Sequence, residues 1–264
     1  LVGSEMCIRD RPCMMSRIGR SDYNRDRILS EEQLPSLLNR AGANVLWIDN
    51  QSGCKGACTG VSSRATTPNP QDCPNGECGD RVFLSELKGE LGKLPADRPT
   101  VLFLHMMGSH GPAYSLRSDK ARKLFEPECT DADLKSCSRE SVMNAYDNSV
   151  RETDYVLASL IRMLKDTSGS IDSALVYVSD HGESLGEGGL YLHGAPYWMA
   201  PKEQTEVPMV LWMNSGFEKT FGINRSKLEK NAAGRVTHEN LYHTVLGLLN
   251  VKSTTYVPTY DLTH

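Results

Sequence analysis

The sequence lacks two features that would each define a class of protein: a long hydrophobic run and an excess of positive charge. Its longest apolar stretches, VLFLHMMG at 101–108 and VPMVLWMN at 207–214, are far shorter than the ~20 residues of a membrane-spanning helix. Lysine and arginine number 29 against 33 aspartates and glutamates, so the formal net charge is −4. We therefore expect no membrane span within these residues and no nucleic-acid partner.

Internal repeats, low-complexity tracts and a nucleophile elbow are also missing. Ser179 and Ser184 flank the segment SDHGES, but neither is interpreted as the nucleophile of a serine hydrolase. The first residues, LVGSEMCIRDR, carry neither a start methionine nor the pattern of a signal peptide. Because they resemble translated read-through of a sequencing adapter, we expect residues 1–11 to be non-native and native sequence to begin near residue 12. The alternative is a disordered natural terminus.

Eight cysteines are the most informative part of the composition. Three pairs lie close together in polar loops and are predicted to form local disulfides: Cys54 with Cys58, Cys73 with Cys78, and Cys129 with Cys137. Each would stabilise the fold by roughly 2–3 kcal/mol and is typical of an oxidising compartment. The alternative is a four-thiolate zinc site, although such sites usually contain repeated Cys-x2-Cys pairs. Cys13 has no near partner, and Cys7 lies in the segment expected to be non-native.

Apolar runs alternate with helix-like periodicity along most of the chain, between two long irregular segments at 50–80 and 109–138. The predicted helices span 31–40, 81–94, 139–167 and 238–250, and the predicted strands span 44–49, 100–108, 173–180 and 207–214. Nearly continuous apolar strands between helices are typical of a parallel sheet covered on both sides. We therefore predict an α/β fold with a largely parallel sheet and helices on both faces.

In sheets of that kind, ligands bind beyond the carboxyl ends of the strands. Polar residues stand at three such ends: Asp49 with Asn50, His105 with His110, and Asp180 with His181. Asp180 and His181 are the strongest candidates, because a carboxylate oxygen beside an imidazole nitrogen suits Zn²⁺. The alternative is a surface turn in which Asp180 caps a helix and His181 is solvated.

Two further histidines and a lysine precede glycine in loops. His110 in SHGP and His193 in LHGAP could bind an oxyanion or a second metal, or could be ordinary loop histidines. Lys55 in SGCKGAC could bind a phosphate, or could be solvated like most lysines. The weaker candidates are Glu183, Asp147 and Ser184, and the histidines interpreted as structural are His105, His238 and His243.

Six segments, in order, give the chain a resemblance to a known family: DNQSGCKGAC at 49–58, LHMMGSHGPAY at 104–114, NAYDNSVRETDYVL at 144–157, YVSDHGESLGE at 177–187, YLHGAPYWMAPKEQ at 191–204 and VPMVLW at 207–212. The chain resembles the lipid A phosphoethanolamine transferases, which include the mobile colistin-resistance enzymes. The resemblance extends from PCMMS at 12–16 to the last helix.

The resemblance implies an alkaline phosphatase or sulfatase-like fold and a Zn²⁺ cofactor. It assigns zinc ligation to Asp180 and His181, and substrate or second-metal binding to His110, His193 and Lys55. In the family, a glutamate ligand and the threonine nucleophile precede the PCM segment, so we expect both to be absent from this chain. The cysteine that pairs with Cys13 is expected upstream as well.

The same resemblance implies a function and a location. Phosphoethanolamine would pass from phosphatidylethanolamine to a lipid A phosphate through a phosphothreonine intermediate. The complete enzyme would be a monomer, anchored in the inner membrane of a Gram-negative bacterium by amino-terminal helices, and residues 12–264 would be part of its periplasmic catalytic domain. This chain alone is expected to be inactive. The alternatives are a related phosphatase or sulfatase-type hydrolase, a transferase acting on core sugar or glycan, and a non-catalytic zinc-binding module.

Overall fold

The computed structural model of the chain describes residues 2–3, 11–19, 22–68, 72–73, 78–196 and 198–264. Its strands are β1 (Val2–Gly3), β2 (Asn44–Asp49), β3 (Ser62–Ala65), β4 (Thr100–His105), β5 (Ala174–Val178), β6 (Ser184–Leu185), β7 (Tyr191–Leu192), β8 (Glu206–Val207), β9 (Met209–Met213) and β10 (Val236–Thr237). Its helices are α1 (Arg11–Met14), α2 (Arg25–Ser30), α3 (Leu34–Arg40), α4 (Val82–Leu91), α5 (Arg139–Asp166), α6 (Lys202–Thr205), α7 (Ser215–Phe221), α8 (Arg225–Ala232) and α9 (Glu239–Leu248).

The larger strands form two sheets. β2 lies between β3 and β4 and is parallel to both, with Asp49 opposite His105 at the carboxyl end. β5 pairs with β9 in the antiparallel direction, from Ala174 opposite Met213 to Val178 opposite Met209. The predicted α/β class is therefore confirmed, and the strand predicted at 207–214 runs against its neighbour.

Helices cover both faces of the layer that these two sheets form, as predicted. On one face α4 and α5 pack on β4 and β5, where Val156 and Leu160 of α5 contact Leu102 and Leu175. On the other face α3 and α9 pack on β2 and β4 through a second group of buried side chains: Leu34, Leu37, Leu38, Val45, Tyr242 and Leu246. Because side chains alternate along a strand, the apolar runs of β2 and β4 supply both faces at once.

The longest of the described helices, α5, shows how the sequence produces this packing. Ser138 caps its amino terminus by accepting the amide N–H of Ser141, and its buried residues recur on one side. Its other side carries charged residues, which include Arg151 and Asp154. Among the described residues, no helix is both long enough and apolar enough to cross a membrane.

Two smaller sheets complete the fold. β1 pairs with β8 and β10, and the short β6–β7 hairpin sets Ser184 opposite Leu192. Because the hairpin reverses the chain, it returns the residue after β7, His193, to the edge where β5 ends. The hairpin is thus the element that completes the candidate site.

The three predicted local disulfides are formed: Cys54–Cys58, Cys73–Cys78 and Cys129–Cys137. Cys13 is also disulfide-bonded, so the expectation that its partner is missing from this chain is wrong. Cys7 and residues 1 and 4–10 lie outside the described residues. The predicted loop 50–80 contains β3, a polar strand formed by backbone pairing with β2.

Candidate active site

The candidate site begins with a tight turn after β5. The Ser179 amide donates to the Pro208 carbonyl at 3.3 Å, and the Ser179 hydroxyl donates to the carbonyl of His181 at 2.8 Å. Asp180 Oδ1 accepts the amide N–H of His181 at 3.0 Å, and Asp180 Oδ2 lies 3.7 Å from His181 Nε2. The turn therefore holds a carboxylate oxygen and an imidazole nitrogen close enough to share one ion.

Three histidines from three separate loops meet at this edge. The ring centroids of His181 and His193 are 3.9 Å apart, and those of His110 and His193 are 5.6 Å apart. His110 comes from the loop after β4, His181 from the turn after β5, and His193 from the hairpin. The structure thus brings these three predicted residues together, with Asp180 beside them.

The hydrogen bonds of these histidines define which ring nitrogen can bind a ligand. Nδ1 of His110 lies 2.7 Å from the Gly111 carbonyl, and Nδ1 of His181 lies 2.9 Å from the Gly182 carbonyl. Nδ1 of His193 lies 2.9 Å from Glu183 Oε1. Carbonyl oxygens and an ionised carboxylate can only accept, so with Glu183 ionised each Nδ1 is the donor and each neutral ring carries its lone pair on Nε2. Metal-binding histidines are typically oriented in this way.

Glu183 was one of the weaker candidates in the sequence, but in the structure it lies against the histidines. It is 6% exposed, its Oε1 accepts from His193, and its Oε2 is buried with no hydrogen-bond partner among the described residues. Donor atoms of His181, Glu183 and His193 all lie within 4.8 Å of one another, which is suitable for a metal ion. His181 therefore belongs to two overlapping donor sets, one with Asp180 and one with Glu183 and His193.

Two glycines allow the loops to approach so closely. A Cβ at Gly182 would come within 2.0 Å of the Glu203 carbonyl oxygen, and a Cβ at Gly111 would come within 2.5 Å of the Leu192 side chain. Backbone atoms cannot move aside as a flexible side chain can. Gly182 is therefore required for α6 to pack against the Asp180–His181 turn.

The charge of Glu183 also affects two tyrosines, the buried Tyr114 and the half-buried Tyr146. Burial, together with the negative charges of Glu183 and Asp147, raises the pKa of Tyr146 to about 12. Burial and the charge of Glu183 also raise the pKa of Tyr114. Both phenols therefore stay protonated at neutral pH, which excludes them as general bases there.

The carboxyl ends of β2 and β4 form a separate polar group. His105 Nδ1 lies 2.6 Å from Asp49 Oδ2, and the amides of Gln51 and Gly53 donate to Asp49 Oδ1. Burial raises the pKa of the Asp49 carboxyl, but these hydrogen bonds outweigh it and the pKa is lowered overall. Asp49 thus fixes the start of the loop that carries Lys55, and His105 supports it, in agreement with its structural interpretation.

The remaining candidates are less closely tied to the histidines. Lys55 is exposed at a positive φ of 48° between the two bonded cysteines, and no contact of the described residues joins it to the three histidines. Ser184 lies in GESLG, which has the spacing of a nucleophile elbow although none was predicted, but its hydroxyl is fully buried and accepts from Gln204 at 2.8 Å. Ser184 is therefore not exposed to a substrate.

The chain is similar to known proteins along nearly its whole length. The sequence profile of the family described as "Sulfatase" matches residues 1–251. Phosphoethanolamine transferase EptA of Escherichia coli K12 is 39% identical over 254 residues, and phosphatidylethanolamine transferase Mcr-1 of Escherichia coli is 36% identical over 248 residues. These alignments cover 95% and 91% of this chain but only 46% and 44% of those proteins. The chain thus spans about half the length of these curated relatives.

A solved structure shares the fold. The soluble domain of lipooligosaccharide phosphoethanolamine transferase A from Neisseria meningitidis superposes with a TM-score of 0.92 at 38% sequence identity. The match covers 99% of this chain and 78% of that domain. An identity and a coverage this high make the two folds equivalent from end to end of this chain.

Proposed function

Because the chain belongs to the sulfatase family and, within it, to the phosphoethanolamine transferases, we propose that it is the catalytic part of an enzyme that transfers phosphoethanolamine to lipid A. The proposed donor is phosphatidylethanolamine and the proposed acceptor is a phosphate of lipid A. The reaction passes through a phosphothreonine. The nucleophilic threonine and one glutamate ligand belong to a part of the enzyme outside this sequence.

The observation that carries the proposal is the group of three histidines whose Nδ1 atoms all face oxygen acceptors. His110, His181 and His193 come from three loops, and each presents Nε2 as the nitrogen that can bind a ligand. Imidazoles in this arrangement either bind a metal or, when protonated, donate hydrogen bonds to phosphate oxygens. A phosphoryl-transfer site needs both properties, because negative charge accumulates on the transferred group.

The donor atoms fit zinc. Asp180 and His181 would hold the ion, since their Oδ2 and Nε2 atoms are 3.7 Å apart and zinc accepts carboxylate oxygen and imidazole nitrogen at around 2 Å. The hydrogen bond from His181 Nδ1 to the Gly182 carbonyl is the outer-shell contact that such a ligand requires. When bound, zinc lowers the pKa of a nearby hydroxyl and polarises a phosphoryl oxygen.

The other residues act on the substrate. His193, held by Glu183, and His110, held by the Gly111 carbonyl, donate from protonated Nε2 to phosphate oxygens or take the proton of the acceptor. The exposed side chain of Lys55 binds a phosphate as a point charge. The buried carboxylate of Glu183 stabilises the cationic form of His193.

The disulfides support a periplasmic location. At least three disulfides each close a short loop of this part of the enzyme, and disulfides persist in oxidising compartments. Lipid donor and lipid acceptor would both reach the site from a membrane surface. We propose that the complete enzyme is a monomer in the inner membrane, with this part in the periplasm.

Mass spectrometry of lipid A tests the proposal. The complete gene that includes this sequence is expressed in a bacterium whose lipid A is unmodified, beside the variants Asp180→Asn and His181→Ala. The expected result is phosphoethanolamine on lipid A with the unchanged enzyme and none with either variant. Asp154→Asn, on the exposed side of α5, serves as the matched control and should keep full modification.

Three other results would contradict the proposal. Release of free phosphoethanolamine with no modified lipid would indicate a hydrolase. Phosphoethanolamine on core sugar or glycan would indicate another acceptor, and no product of either kind would indicate a zinc-binding module without catalysis. The purified chain by itself should show no turnover, so turnover would contradict the assignment of the nucleophile to another part of the enzyme.

A further inference from the structure

His238 is a buried histidine that the proposed reaction does not use. It is the residue immediately before α9 and is only 5% exposed. Its Nε2 lies 2.8 Å from the carbonyl oxygen of Ser179, 59 residues earlier in the chain. The contact therefore connects the start of α9 to the residue that precedes Asp180.

The partner of this contact defines the state of the ring. A carbonyl oxygen can only accept, so Nε2 of His238 is the donor and the neutral ring carries its lone pair on Nδ1. Nδ1 is buried and has no hydrogen-bond partner among the described residues. A buried nitrogen without a partner costs free energy, so the ring orientation is maintained by the bond at Nε2 and the packing around it.

Ser179 begins the turn that carries Asp180 and His181, and its amide, hydroxyl and carbonyl are all hydrogen-bonded. Its amide is bonded to the Pro208 carbonyl and its hydroxyl to the His181 carbonyl, while its own carbonyl accepts from His238. The Ser179 carbonyl belongs to the same peptide unit as the amide of Asp180. Its orientation therefore sets the direction in which the next two side chains leave the sheet.

We propose that His238 is a positioning residue for the metal site: its Nε2–H fixes the Ser179 carbonyl and thereby aligns Asp180 and His181 on one zinc ion. The inference rests on the proposed function, because it takes these two residues as ligands. His238 is not one of the proposed ligands, because its Nε2–H is bonded to the Ser179 carbonyl. Loss of its donor frees the peptide between Ser179 and Asp180 to rotate.

Zinc affinity of the full 264-residue chain is the first test, measured with Zn²⁺ alone in competition with a chromophoric chelator. His238→Ala should weaken binding about 10–100-fold, the usual effect of an outer-shell partner. His238→Gln, whose amide nitrogen can reach the position of Nε2, should stay within about threefold of the unchanged chain for the same reason. His264→Ala, at an exposed histidine, is the matched control and should bind like the unchanged chain.

Proton-detected ¹⁵N spectroscopy of the histidine rings is the second test and does not depend on zinc. His238 in the metal-free chain at neutral pH should be the tautomer protonated at Nε2. A ring protonated at Nδ1 would overturn the inference, as would wild-type zinc affinity in His238→Ala. If His238→Ala does not fold, weak zinc binding by the folded His238→Gln variant would overturn it too.

The design separates this inference from the proposed metal site. His181→Ala removes the residue that both donor sets share. Binding by the unchanged chain that is no tighter than binding by His181→Ala would contradict the metal site and remove the basis of the inference. Tight binding that is lost in His181→Ala but unchanged in His238→Ala would contradict only the role of His238.

Discussion

The histidines at the sheet edge and the histidine in the middle of α9 use Nδ1 in opposite ways. At the edge, Nδ1 of His110, His181 and His193 faces an oxygen acceptor. In α9, Nδ1 of His243 accepts the amide N–H of Val257 at 3.1 Å. The edge histidines therefore direct the lone pair of Nε2 at a possible ligand, whereas His243 uses its lone pair to bind the chain's own backbone.

The surroundings of His243 are also those of a structural residue. The ring of His243 is 2% exposed, stacks on Tyr260 at a centroid distance of 5.5 Å and has Tyr242 and Tyr256 at its edges. Burial lowers its pKa to about 4, so the ring is neutral at neutral pH. In these two regions, the partner of Nδ1 separates three histidines that keep a lone pair on Nε2 from one whose lone pair on Nδ1 binds the backbone.

The largest expected effect is at the edge. His181→Ala in the complete enzyme should reduce the rate of phosphoethanolamine transfer by more than the roughly 100-fold that loss of an outer-shell contact can cost, because a metal ligand is removed. Initial rates with purified enzyme in detergent measure it. The matched control is His264→Ala, which should leave the rate unchanged. An active His181→Ala enzyme would remove the distinction between the two regions.

The next largest effect is expected when the negative charge of Glu183 is removed. Glu183→Gln keeps an oxygen that can accept from His193 Nδ1 but removes the negative charge. The rate should fall about 10-fold, since a neutral amide stabilises protonated His193 less well. Glu206→Gln, at an exposed carboxylate of β8, is the control and should retain the unchanged rate. Equal rates for both variants would show that the charge of Glu183 has no part in the reaction.

His243 should make the stability of the chain depend on pH. Its pKa is about 4 in the folded chain against 6.5 for an unperturbed histidine, so the unfolded chain binds the proton more tightly. The stabilisation is complete above pH 6.5 and is lost as the pH falls toward 4. Over that range the free energy of unfolding should fall by about 2–3 kcal/mol, measured by urea titrations.

The variant His243→Asn separates this effect from other groups. Its side-chain oxygen can still accept from Val257, but it does not titrate. Burial also lowers the pKa of His238, so both chains should lose some stability with acid, the unchanged chain more steeply. Identical slopes in the two chains would contradict the environment assigned to His243.

The smallest expected effect is on the ring that stacks on His243. Tyr260→Leu should lower the free energy of unfolding by about 0.5–1 kcal/mol through the lost stacking, whereas Tyr260→Phe keeps the ring and should lose less. Urea titrations at neutral pH compare the two. A larger loss in the phenylalanine variant would show that the hydroxyl, and not the stack, stabilises this region.

Much of the fold could be predicted, because it depends on apolar periodicity. The strand at 44–49 has the predicted bounds, and the helix predicted at 139–167 ends one residue earlier. β3, with the sequence SSRA, has no apolar pattern and forms only because its backbone pairs with β2. α8 was not predicted, since it buries Leu228 alone. Apolar periodicity does not indicate whether a strand is parallel or antiparallel to its neighbour, so the antiparallel direction of β9 was not predicted.

The candidate site was predictable to a similar extent. Asp180 and His181 follow a strand directly, so the rule for the carboxyl ends of strands identifies them. The importance of Glu183 depends on the β6–β7 hairpin, which brings His193 within 2.9 Å of it. Its position two residues after His181 was the only local signal. Long-range pairings of this kind are a property of the folded chain, not of the local sequence.

The position of bound zinc tests the central claim most directly. Crystals of the complete enzyme with zinc, measured at the zinc absorption edge, locate the ion by its anomalous scattering. The account predicts a peak at around 2 Å from His181 Nε2 and from a carboxylate oxygen of Asp180, with Nδ1 of His181 still bonded to the Gly182 carbonyl. A fully occupied zinc that contacts neither Asp180 nor His181 would contradict it.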